Sequence, residues 1–330
     1  MKLFNLDLHV SVIEDIKSIL ETQGHTVDSK SISGHAWIFG KEPDVVDVVN
    51  QHTWRNLNFD MADAFYERYK EELSHYDGFI VTHTPSFCLL FEKFNKPIYV
   101  VASTRYEAPF SDNIGMWKAF NERLVAMIDN GQVIPLANNL YDARYCEFFT
   151  QREWKHVPSI CEYTEAKYEG KEDTGLFSGK GTLNLPYMPH LKSLGKYEGW
   201  QRVFNYKYIA HVPYNVSIMS IFEQYTANMP LLFPTLSFAK SLPFFLSELF
   251  YSNTALSGQH IPPYLIEESS IMLSDFYDTD WMPHILYFDS LDELRDLSEN
   301  TDFKEVSKNM EQFNISRKEK IHSLWRTLLD

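Results

Sequence analysis

Strand-length apolar runs alternate with helical patterns along the first 140 residues, and this alternation restricts the fold more than any other feature of the chain. Lys2 to Leu8 reads as a strand, and Val12, Ile13, Ile16, Ile19 and Leu20 then fall on one face of a helix. Ser11 and Glu14 have the spacing of a capping box, and Gly24 can close the helix in the left-handed conformation. His25 to Ile32 gives a second strand. Met61 to Leu73 predicts a helix, and Phe79-Ile80-Val81 a strand that runs into Thr82-His83-Thr84. Pro85 opens a further helix. Ile98 to Ala102 is a strand, Met116 to Ile128 a helix closed by Asn130-Gly131, and Val133 to Ala137 another strand. Repeated strand-helix-strand order predicts a parallel, doubly wound α/β sheet.

The chain has 330 residues, too many for one comfortable core and suited to two α/β domains. Tyr163 to Gly181 changes character, with charges clustered among glycines 170, 175, 179 and 181, and reads as the junction and first loop of the second domain. The α/β pattern then resumes. Tyr208 to Val212 is a strand, a helix starts at about Val216, Leu231-Leu232-Phe233 is a strand ending at Pro234, and His284 to Phe288 is a late strand. Ser290 with Glu293 and Ser316 with Glu319 repeat the capping-box spacing, so the chain ends in helices.

Several function classes are excluded. The formal net charge of -15 disfavours a nucleic-acid partner, while a few lysines or a helix N-terminus still suffice for one small diphosphate. No apolar run reaches the roughly 20 residues of a bilayer span, and Met1 to Asp7 lacks a signal peptide's apolar stretch, so a cytoplasmic protein without an integral membrane segment is expected. Cys88, Cys146 and Cys161 match no zinc or CxxC spacing and read as buried thiols. There is no GxGxxG, no GxSxG elbow and no HxH or HExxH, so no nicotinamide site, hydrolase triad or metal site is expected. Asp278-Thr279-Asp280 is a DxD, a pairing that suits hard cations, but here it reads as a solvated loop.

The run His211-Val212-Pro213-Tyr214-Asn215-Val216-Ser217 through Glu223 to Pro234 carries the most chemistry. It reads as strand, tight loop, helix, short turn and strand. Asn215 or Ser217 can cap the helix, and Ile218, Ile221, Phe222 and Tyr225 form its buried side. Ser217, Ser220 and Glu223 recur every third residue on a more polar side. Free amides and the dipole at the helix start suit a diphosphate, and Glu223 can accept from ribose or sugar hydroxyls.

This run resembles the donor-site segment of GT-B glycosyltransferases, in which a strand leads into a helix that carries an acidic residue and ends in a small-residue-Pro turn. Phe222-Glu223, Ala227 and Met229-Pro230 match that layout, while Pro213-Tyr214-Asn215 stands where the family often has glycines. Its wording is also similar to glycosyltransferases of large DNA viruses, for which the location would be the host cytoplasm. The resemblance implies two Rossmann-like domains facing each other across a cleft. Residues 1–162 would bind the acceptor and 163–312 the nucleotide-sugar, with 313–330 a helix returning to the first domain. It implies donor binding by Lys180 of Ser178-Gly179-Lys180-Gly181, His211, Tyr214, Asn215, Ser217, Ser220 and Glu223. Asp7-Leu8-His9 follows the first strand, where open α/β sheets bind ligands, and Asp7 or His9 would be the base that takes the acceptor proton. His83, Thr84 and Arg105 also follow strands and are candidate acceptor ligands.

The expectation is a hexosyl- or pentosyltransferase that moves sugar from a nucleoside diphosphate to a hydroxyl of a glycan or glycoside. It is read as inverting, and as needing no metal or other cofactor beyond the nucleotide-sugar co-substrate. The alternatives are a nucleotide-sugar epimerase or hydrolase of the same fold, and a non-catalytic binding protein.

Overall fold

The computed structural model describes residues 1–103, 106–179, 191–193, 199–242, 245–246, 261–265 and 268–329. The chain divides into two compact units. The first gathers Met1–Ser159, Phe250–Ile266 and Leu324–Asp330, and the second Ile160–Leu249 and Glu267–Ser323. No helix among the described residues is long and apolar enough to cross a membrane.

The first unit is built on six parallel strands: β1 (Lys2–Asp7), β2 (Thr26–Ser31), β3 (Gly78–Val81), β4 (Ile98–Ala102), β5 (Val133–Ala137) and β6 (Lys155–His156). Their order across the sheet is β2-β1-β3-β4-β5-β6. Every residue of β3 and β4 is buried, as expected for strands covered on both faces. Helices α1 (Val10–Thr22), α2 (Phe59–Leu73), α3 (Ile114–Asp129) and α4 (Leu140–Thr150) connect them, except that the 3-10 turns Pro85–Leu90 and Glu92–Phe94 join β3 to β4. Asn58, Asn113 and Asn139 cap α2, α3 and α4 by accepting from the third amide of each helix.

Two of the three expected capping boxes do not form. Helix α1 starts at Val10 with His9 as its N-cap, so Ser11 lies inside the helix and is buried, and Glu14 pairs with Lys41 at 3.0 Å. Ser316 sits midway along a helix that already runs from Phe303 to Leu329, and its hydroxyl donates back to the Phe313 carbonyl at 2.9 Å. At Ser290 the expected cap is present. Its Oγ accepts from Glu293 N at 3.1 Å, and Glu293 accepts from Asp289 N at 2.6 Å.

The second unit has five parallel strands, β7 (Gly175–Ser178), β8 (Leu191–Ser193), β9 (Ile209–His211), β10 (Leu231–Pro234) and β11 (Leu286–Phe288), in the order β11-β10-β9-β7-β8. Read from the other edge this is β8-β7-β9-β10-β11, the arrangement of the first five strands of the first unit. Both sheets are therefore doubly wound and Rossmann-like, as the resemblance implied. Helices α5 (Trp200–Val203), α6 (Met219–Thr226), α7 (Leu236–Ala239), α8 (Leu291–Asn300) and α9 (Phe303–Leu329) complete the described α-helices. Gly175 opens β7 against the Tyr208 ring, where a Cβ would lie 2.3 Å from a ring atom. That approach leaves room for no larger residue. Phe177, Tyr208, Ala210, Val212, Leu232 and Phe288 form the core beneath it with Leu294 and Phe303 from α8 and α9.

Candidate functional site

A doubly wound sheet parts its connections where the chain order reverses, and ligands bind at the carboxyl ends of the strands there. In the first unit that point lies between β1 and β3, whose exits are Asp7-Leu8-His9 and Thr82-His83-Thr84. The structure brings these expected residues together. Asp7 is fully buried, and its Oδ2 accepts from the amides of Thr82, His83 and Thr84 at 2.8, 2.9 and 3.3 Å. Its Oδ1 accepts from Leu8 N at 2.6 Å. Burial pushes the Asp7 carboxyl up, against the pull of these four amides.

The imidazoles of His9 and His83 meet beside this carboxylate, with ring centroids 4.9 Å apart and planes tilted by 56°. His9 is half-buried and His83 is buried. His9 has the extended backbone of an N-cap, and its carbonyl accepts the first bond of α1 from Ile13 N. The packing of α1 on the sheet thereby fixes where the ring starts. Thr84 is completely buried. Arg105 lies outside the described residues.

Further along the same sheet edge, Glu107 follows β4 and is 7% exposed. Burial pushes its carboxyl up to about 8, although the Tyr145 hydroxyl donates to it. It is therefore a neutral acid at pH 7, in a setting made by α4.

The second unit places its reversal between β7 and β9, so the loops after Ser178 and His211 are the corresponding exits. Gly179 allows β7 to leave close to its neighbour, because a Cβ there would sit 2.9 Å from the Phe177 ring and 3.5 Å from Val212. Lys180 lies outside the described residues. His211 is buried. Its Nε2–H donates to Gln224 Oε1 at 2.7 Å, and its ring stacks on Phe233 at 5.0 Å. Burial lowers its pKa to about 4, so it is neutral near pH 7.

The loop beyond His211 is longer than the spacing predicts. Helix α6 begins at Met219 rather than about Val216, its N-cap is Ile218, and no side chain caps it. Asn215, expected as a cap, accepts instead from its neighbour Val216 N at 2.7 Å, a local bond that competes with helix formation. Tyr214, Ser217 and Ser220 are half-buried around this start, and Asn215 is buried. Ser217 Oγ is a buried atom with no hydrogen-bond partner among the described residues.

Glu223 sits in the middle of α6, 7% exposed. Its Oε1 accepts from the Tyr163 hydroxyl at 2.5 Å and its Oε2 from Trp200 Nε1 at 2.9 Å, while the two rings meet edge-on at 5.7 Å. Trp200 also lines a recess of about 330 Å³ with Thr164, Glu165, Ala166, Gly199, Gln201 and Arg202. Tyr163 and Trp200 carry no sequence signal for this role, because they lie 60 and 23 residues from Glu223. The far end of α6 is held by α9. Asn314 Nδ2 donates to the Tyr225 carbonyl at 2.8 Å, and the Arg317 guanidinium lies 5.3 Å from the centre of the Tyr225 ring. Among the described residues no group of three or more His, Cys, Asp or Glu could hold a metal ion. Asp278 Oδ1 of the DxD accepts from Asp280 N at 2.8 Å, within an exposed turn.

No family model matches the sequence, and no curated protein matches it. Among solved structures the chain is similar over its full length to glycosyltransferases. With SnogD from Streptomyces nogalater it shares 10% identity at a TM-score of 0.48, covering 99% of each chain. With the glycotransferase of kitacinnamycin the values are 11% and 0.45, covering 100% of this chain and 99% of that one. With the spinosyn rhamnosyltransferase SpnG they are 12% and 0.44, covering 100% of each.

Proposed function

We propose that the protein transfers a sugar from a nucleoside diphosphate to the hydroxyl of a glycan or glycoside. The observation that carries this reading is the repeated sheet order, which puts polar, ligand-competent residues at the reversal point of both units. One reversal point offers imidazoles, which suit proton removal, and the other offers a helix start with serine hydroxyls and a carboxylate, which suit a nucleotide-sugar. In this proposal the second unit, residues 163–312 in the main, binds the donor. The α6 N-terminus, Tyr214, Asn215, Ser217 and Ser220 meet the diphosphate, with Lys180 assisting. Glu223 meets the ribose or sugar hydroxyls by exchanging its bonds to Tyr163 and Trp200. His211 acts as a neutral support for the loop. The first unit binds the acceptor near His83, Thr84 and Arg105, and His9 takes its proton.

The acceptor oxygen attacks the anomeric carbon as its proton passes to His9. The bond from that carbon to the diphosphate breaks, and the nucleoside diphosphate leaves with the electron pair. A single displacement with one base inverts the anomeric centre and requires no resident metal, since amide dipoles and a lysine can balance the leaving charge. Whether the sugar is a hexose or a pentose is set by the recess beside Glu223. A source in a large DNA virus and a cytoplasmic location are parts of the same proposal.

A thermal-shift panel of nucleoside diphosphate-sugars tests the donor half. One nucleotide series should raise the melting temperature, by an amount that grows with ligand concentration. No response to any member overturns the reading. Release of nucleoside diphosphate should then require an acceptor; equal release without one would favour a hydrolase, and conversion of the nucleotide-sugar without release an epimerase.

A further inference from the structure

Asp7 presents one carboxylate oxygen to three consecutive amides, those of Thr82, His83 and Thr84. Strand β3 ends at Val81, so these amides have left the sheet ladder and need another acceptor. The second Asp7 oxygen is bonded to Leu8 N, at the start of the other exit. One buried side chain therefore fixes both loops of the reversal point and sets the distance between the two residues they display. Those residues are His9 and His83, whose rings touch.

A base must be neutral, with its lone pair on the nitrogen that faces the substrate. Imidazole has two tautomers, and only one of them satisfies this for a given ring orientation. A second imidazole in contact selects between them. Its ring dipole favours the tautomer whose hydrogen is turned toward its own lone pair, and it disfavours a proton on both rings, because two adjacent cations repel.

We propose that His83 is a positioning residue that holds the His9 ring in its basic tautomer, and that Asp7 is a positioning residue that acts through the backbone of Thr82–Thr84 rather than a base. This rests on the transfer reading for the reaction itself, in which His9 gains the acceptor proton while the acceptor oxygen bonds to the anomeric carbon and the diphosphate departs. The pairing of the rings and the bonding of Asp7 stand without it.

The experiment uses the full chain labelled with ¹⁵N-histidine, and two variants, His83→Phe and Asp7→Asn. Phenylalanine keeps a ring in place but removes both nitrogens. Asparagine has one oxygen where Asp7 has two, so either the three amides or Leu8 N loses its acceptor. In the wild type the ¹⁵N shifts of His9 should show one dominant tautomer near neutral pH, and in both variants a mixture. With a competent nucleotide-sugar, kcat should fall about 10- to 100-fold in each variant while the donor KM stays within about twofold. A His9 tautomer and kcat that are unchanged in His83→Phe overturn the proposal. Should Asp7→Asn not fold, as judged by circular dichroism, His83→Phe alone decides. A wild-type protein that turns over no nucleotide-sugar sinks the transfer reading, and the tautomer measurement still decides the pairing.

Discussion

At the reversal point of the first sheet a buried carboxylate clamps two loops and leaves two imidazoles in contact, one of them half-buried. At the same point of the second sheet the one histidine is buried, stacked on Phe233 and tied to Gln224, and the half-buried polar side chains lie further out, around the start of α6. The strand order is shared, so the difference lies in the side chains that follow the strands. The first unit exposes a titratable group where the second encloses one. Burial also acts on opposite charge types. The first unit encloses an acid, Glu107, raised to about 8, and the second a base, His211, lowered to about 4. Under the proposed function, the same strand order serves a proton-handling site in one unit and a ligand-holding site in the other, according to which groups are left outside the core.

The largest effect that would break this contrast is kinetic. His9→Ala is expected to lower kcat by about 10²- to 10⁴-fold with donor binding unchanged, whereas Glu223→Ala should raise the donor Kd about 10- to 100-fold. Isothermal titration with steady-state rates separates the two, and loss of transfer in Glu223→Ala at wild-type donor affinity would remove the division of labour.

The next effect concerns Glu107. Its folded pKa lies above the unfolded value, so the unfolded chain releases its proton first as pH rises. The stability this group contributes is complete below pH 4.5, falls as pH climbs, and levels off past about 8. At pH 9, Glu107→Gln should be more stable than wild type by up to about 5 kcal/mol, and near wild type at pH 4. For His211 the sign reverses. Its folded pKa lies below the ordinary 6.5, so the unfolded chain binds a proton first, and about 3 kcal/mol is lost as pH falls from 6.5 to about 4. His211→Phe leaves Gln224 without its donor but should flatten that slope. Urea unfolding across pH 4 to 9 measures both, and parallel slopes for the two units would contradict the opposed burial. The smallest effect tests the loop exits themselves. Gly179→Ala is expected to cost about 1 kcal/mol, since the added carbon meets the Phe177 ring.

Much of the first unit is legible in the sequence, because strands buried on both faces read as apolar runs. The residues predicted for β4 and β5 coincide with the strands observed. Edge strands β6 and β8 have two and three residues and no such run, and β7 lies inside a segment whose charges read as a junction. Helix α4 is missed although Asn139, its cap, precedes it, because Asn138-Asn139 looks equally like a turn. In the candidate site, the residues that directly follow strands are legible, since strand ends mark the ligand edge. The tie of Glu223 to Tyr163 and Trp200 is not, because it depends on which distant residues the fold brings to one carboxylate.

The division of the chain has a consequence for synthesis. Six strands are complete when residue 156 emerges, yet the unit they form also counts Leu265, whose carbonyl accepts from the Tyr141 hydroxyl, and the buried Trp325 near the end of α9. At about 5 to 20 residues per second, roughly 10 to 30 s separate Ser159 from Trp325. During that interval the ribosome holds a complete sheet whose unit still lacks its later segments, while the second unit is being made between them. A pulse-labelled nascent chain stalled at 200 residues should therefore be cut by protease within 1–159 at sites that the finished protein protects.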